Sequence, residues 1–135
     1  MNTIVVGFDG SEQSRRALDR AASMAPAKEL VVVTAVPFRP LATKGPSPTV
    51  DPLEEEERSK LLEEAVGITG AQSFTTRAVE VHGDPAEAIV AAAKESGADL
   101  IVIGKHGRHG AFSALMGSTS EHVVRHAPCD VLVVQ

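Results

Sequence analysis

The sequence predicts an α/β fold: one domain over residues 1–135, a Rossmann-like three-layer sandwich around a five-stranded parallel sheet. Three observations carry this. Short β-branched apolar runs alternate with helix-like segments along the whole chain. The runs "TIVVGFD", "ELVVVTAV" and "LIVIG" are continuously apolar, as strands covered on both faces are. The loop "FDGS" follows the first of them and a glycine-rich stretch follows "LIVIG", at strand carboxyl ends, where open α/β sheets bind ligands.

The elements follow in order. Thr3 to Asp9 is the first strand. Ser11 is placed to cap a helix whose Ala17, Leu18, Ala21, Ala22 and Ala25 recur at helical spacing, with Arg15, Arg16, Asp19 and Arg20 on the wet face. Glu29 to Val36 is the second strand. Five prolines between Pro37 and Pro52 then mark a loop. An acidic helix follows, with Leu53, Leu61, Leu62 and Val66 on its apolar side. Its Glu54–Glu57 run sits where the helix dipole favours negative charge. Phe74 to Val81 reads as the third strand. The next helix has Asp84 as cap, Pro85 at its start and Gly97 as its stop. "LIVIG" is the fourth strand, a glycine-rich stretch and a helix from about Thr119 to His126 come next, and "DVLVVQ" is the fifth strand.

Composition narrows the function. At 135 residues a chain buries roughly two thirds of its surface, so neither disulfide nor structural metal is required. A net charge of −5, no Trp or Tyr and four Phe argue against nucleic-acid binding. One cysteine, Cys129, cannot form an internal disulfide, and its place at the start of a buried strand favours an inert thiol. No signal-peptide pattern or membrane-length apolar run is visible, so a cytoplasmic location is expected. His122 and His126 are four apart, but without a cysteine pair they read as surface histidines and no metal site is expected.

The stretch "GKHGRHGAFSALMGSTSEH" concentrates the chemistry. Gly104, Gly107 and Gly117 permit main-chain N–H groups to approach an anion, and Gly117 leads into a helix N-terminus. Ser118 and Glu121 also have capping-box spacing. Capping accounts for residues 118–121 but not for Gly104 and Gly107, or for Lys105, His106, Arg108 and His109 around them. A plain solvated loop remains the alternative. Asp9, at a strand's carboxyl end, suits a ribose hydroxyl or a phosphate-bound metal, and equally a turn with Gly10 and Ser11. There is no GxxxxGK[ST] and no Gly-x-Ser-x-Gly elbow, and the glycine stretch holds no clear pair of acids or general base to position a water, so slow or no hydrolysis is expected.

The spacing Gly104-x2-Gly107-x9-Gly117-Ser118 resembles the nucleotide signature of the universal stress protein family. "IVVGFDGSEQSRRAL", "VHGDPAEAIVAAAKESGADLIVIGKHG" and "LMGSTSEHVVRHAPCDVLVV" resemble its opening, middle and closing segments; only residues 37–73 are nondescript. The resemblance implies strand order 3-2-1-4-5 and a homodimer formed through the last strand, Val131 to Val134. It also implies membership of the family's ATP-binding branch, with Mg2+ as companion ion. It implies that Gly104 and Gly107 line the ribose and phosphate path, and that Gly117, Ser118 and Thr119 hold phosphates. Asp9 would face the nucleoside, with Gly7 and Ala35 meeting adenine through their backbone. Asp130 departs from the apolar residue or proline common before the last strand. The function so implied is ATP-dependent stress-response regulation read by a protein partner that the sequence does not identify. The alternative is a nucleotide-independent dimeric adaptor.

Overall fold

The computed structural model describes residues 2–24, 29–36, 56, 59–61, 63–65, 67, 75–82, 84–105 and 117–135. The described elements are strands β1 (Thr3–Gly7), β2 (Glu29–Val36), β3 (Thr75–His82), β4 (Leu100–Gly104) and β5 (Asp130–Val134), with helices α1 (Glu12–Ala22), α2 (Pro85–Ser96) and α3 (Ser118–His126). The Pro-rich loop lies outside the described residues. The described residues between 56 and 67 are helical, as the acidic segment predicts.

All strand pairings are parallel, and the sheet runs β3-β2-β1-β4-β5. The sequence predicts a sandwich five strands wide. Among the described side chains, those of β2, β1, β4 and β5 build the layered core. Strand β3 lies at the margin, in backbone register with β2 from Glu29–Thr75 to Val36–His82.

Strand alternation divides this core between two faces. Ile4, Val6, Leu30, Val32, Leu100 and Val102 face α1, meeting Ala17, Leu18 and Ala21. Val5, Val31, Val33, Ile101 and Ile103 face α2 and α3, meeting Ala86, Ile89, Ala93 and Val123. The central strands are buried on both faces, which explains their lack of polar alternation. Strand β5 is different: Val131 to Val134 are only half-buried, as suits an edge.

Local chemistry sets the helix ends. Ser11 Oγ accepts from Ser14 N, capping α1, and Asp84 Oδ2 accepts from Glu87 N, capping α2. Gly97 closes α2 in the left-handed region at φ 62°. At the amino edge of the sheet, Asp99 Oδ2 accepts from Asn2 N and Thr3 N at 2.8 and 3.1 Å, fastening the start of β1 beside β4.

Candidate functional site

The register Gly7–Val33 and Val6–Val102 brings the ends of β1, β2 and β4 to one edge of the sheet. Gly7, Asp9, Ala35, Gly104, Gly117, Ser118 and Thr119 therefore gather at the carboxyl edge around β1 and β4. Gly107 lies outside the described residues, as do His106, Arg108 and His109.

The loop after β1 is tightly wired. Asp9 Oδ1 accepts from Ser11 N at 2.8 Å, and Gly10 takes φ 83°, so the turn reading of "DGS" is realised. Ser14 Oγ donates to Ser11 O at 2.8 Å and accepts from Asp9 N at 3.4 Å. The Asp9 carboxylate is thus held in a fixed orientation at the mouth of the edge.

Two of the site glycines have close neighbours. A Cβ on Gly104 would lie 2.7 Å from Gln13 Cβ and 3.0 Å from the Gln13 carbonyl carbon, so α1 sits directly over the end of β4. A Cβ on Gly7 would lie 2.6 Å from Ile89 Cδ1, on the α2 face. Packing alone accounts for the missing side chain at Gly104, where the neighbour is helix backbone; at Gly7 the near atom is the end of a flexible side chain.

Gly117 is different. It is the N-cap of α3, with φ −65° and ψ 160°, a conformation open to any residue. Among the described residues no side chain caps this helix, in contrast to α1 and α2. The expected capping box is therefore corrected. Ser118 is already the first helical residue and is exposed, because the extended residue before the helix is Gly117. Glu121 instead pairs with Arg125 at 2.8 Å one turn on. The first turn of α3 thus keeps backbone donors that no described side chain accepts from, at the end of β4.

Ser120, which the sequence reading took as part of the cap, turns out to matter more. It is buried, and its hydroxyl donates to Gly104 O at 2.7 Å and Lys105 O at 2.9 Å. Lys105 O also accepts from Gly117 N at 2.9 Å, and Lys105 N donates to Val134 O at 2.8 Å. The only available signal was a polar residue on the turn that faces the sheet.

Other candidates carry less. The His122 and His126 rings lie 4.4 Å apart on α3, and among the described residues no group of three metal-ligating side chains forms. Cys129 is half-buried before an edge strand, a correction to the fully covered strand expected. Its thiol is pushed above the usual range by burial, then by Asp130 and Asp99. Among the described residues no helix is long and apolar enough to cross a membrane.

The sequence model described as "Universal stress protein family" matches residues 1–135. The chain belongs to the universal stress protein family. It is 37% identical over 142 residues to a universal stress protein from Thermus aquaticus, with 98% of each chain covered. It is 30% identical over 147 residues to the universal stress protein YxiE of Bacillus subtilis, with 99% of each covered. Among solved structures it is similar to a universal stress protein in complex with cAMP, at 34% identity and TM-score 0.76, covering 99% of this chain and 97% of that one. It is also similar to the protein MJ0577, at 27% identity and TM-score 0.75, covering 98% and 94%.

Proposed function

We propose that this universal stress protein binds ATP, with Mg2+, at the carboxyl ends of β1 and β4, and acts as a cytoplasmic stress-response regulator rather than a fast hydrolase. The observation that carries the reading is the start of α3. A glycine occupies the N-cap although its backbone needs none, and no described side chain caps the helix. A polyanion at that place meets free N–H donors and the positive end of the helix dipole. The relative solved with cAMP supports a nucleotide in this family's fold.

In this reading Gly117, Ser118 and Thr119 hold phosphates through backbone and hydroxyl donors. Gly104 and Gly107 line the ribose and phosphate path. Asp9, oriented by Ser11 N, accepts from the nucleoside, and the main chain of Gly7 and Ala35 borders the base. Mg2+, when bound, neutralises phosphate charge. The half-exposed edge strand β5 supports a homodimer through Val131 to Val134. A protein partner would read the nucleotide state.

The test is Gly117→Asp. Aspartate is a good N-cap, so the variant folds at least as stably as the parent, yet places a carboxylate where phosphate would lie. Calorimetric titration with Mg–ATP is expected to show binding by the parent and none by the variant. Equal affinity overturns the phosphate assignment, and no binding by the parent overturns the ATP reading. Light scattering tests the dimer: a monomer mass near 14.1 kDa overturns it.

A further inference from the structure

Lys105, directly after β4, ties the ends of β4, β5 and α3 together. Its N–H reaches Val134 O at the end of β5, and its carbonyl accepts from Gly117 N. The hydroxyl of Ser120 adds to this carbonyl and to that of Gly104, at 2.9 and 2.7 Å. One proton faces two acceptors, a three-centre bond. Ser120 is 3% exposed, so no water competes for it. Gln13 of α1 lies close over Gly104, leaving no room for a Cβ there.

We propose that Ser120 is a positioning residue of the nucleotide site: its hydroxyl, anchored on Gly104 O and Lys105 O, sets the first turn of α3 at the end of β4. This rests on the nucleotide reading above for its functional consequence, though the anchoring itself does not. Preorganised donors bind an anion without ordering themselves first. Without the hydroxyl, two part-buried carbonyls lose a donor, and among the described hydrogen bonds only that from Gly117 N to Lys105 O still ties the first turn to the end of β4. The donors of Ser118 and Thr119 then no longer have a fixed place. The residue touches no ligand; it acts through the backbone it holds.

The test compares Ser120→Ala, Ser120→Thr and Asp99→Ala, the last destabilising the sheet from its opposite edge. Mg–ATP affinity is measured by calorimetry, and exchange of the Gly117 amide by NMR in the ligand-free protein. Ser120→Ala is expected to weaken binding about three- to tenfold and to speed Gly117 exchange more than exchange in β1 and β2. Ser120→Thr, which keeps the hydroxyl, is expected to restore both. Asp99→Ala is expected to change neither the affinity nor the relative exchange of Gly117. Parental affinity in a folded Ser120→Ala variant overturns the positioning role. If the parent binds no nucleotide, the ATP reading fails by itself, and the Gly117 exchange alone decides the anchor: unchanged exchange in Ser120→Ala overturns it.

Discussion

Gly104 and Gly117 belong to one sequence signature, but they are glycines for different reasons. Gly104 lies under Gln13, so even one added carbon displaces helix α1. Gly104→Val is therefore expected to cost about 1–3 kcal/mol, measured by urea unfolding; a stability equal to the parent's would show that α1 can retreat freely. Asp99 acts at the same scale on the opposite edge. The N–H groups of Asn2, then Thr3, hold its carboxyl below the ordinary value of 3.8. Because the folded value is the lower one, its contribution is complete above 3.8 and disappears as pH falls through the folded value. Asp99→Ala is thus expected to be less stable than the parent at neutral pH, with the gap narrowing in acid. A gap independent of pH would remove the carboxylate from the account. Cys129 offers a chemical readout. With its thiol pushed up by burial and nearby carboxylates, it is expected to react with a disulfide reagent at mildly alkaline pH more slowly than a free cysteine.

At the scale of elements, helices α1, α2 and α3 begin in two ways. Helices α1 and α2 carry side-chain caps, from Ser11 and Asp84, while α3 carries none. Ser11→Ala is therefore expected to cost about 1 kcal/mol. Ser118→Ala is expected to change stability by less than about 0.5 kcal/mol, as an exposed residue outside any cap does. Denaturant titration of both variants checks the contrast, and equal losses would restore a capping role to Ser118. The caps of α1 and α2 were legible because a capping residue stands directly before an amphipathic run. The cap of α3 was misread because "STSE" fits a capping box in one dimension. Which residue turns from extended to helical is decided by how Gly117 N and Ser120 Oγ tie back to Lys105 O.

For the whole molecule, stability concentrates where both faces of the sheet are covered. Ile101 is fully buried in β4 between β1 and β5, packed against the α2 and α3 layer. Ile101→Ala is expected to cost about 2–5 kcal/mol in equilibrium unfolding; a loss under about 1 kcal/mol would mean that the layers close over the cavity. The helical stretch around residues 56–67 joins this body through Ala65, buried in the α1-side core, and through the Arg15–Glu64 ion pair. That pair is largely exposed, so it orients the segment more than it stabilises it.

By itself, the sequence determined the α/β class and the extents of the central strands and helices. Apolar runs, caps and stop signals act over a few neighbouring residues and are readable there. It also marked the glycine stretch as the chemically unusual segment, and the family followed from motifs spread along the chain. Tertiary structure decided why Gly104 is a glycine: Gln13, distant in sequence, occupies the space beside it. It also decided that β5 is a half-exposed edge, and that Ser120 anchors a helix start instead of sharing in a cap. Those outcomes depend on contacts between segments that meet only when the sheet assembles, and no local pattern of residues encodes them.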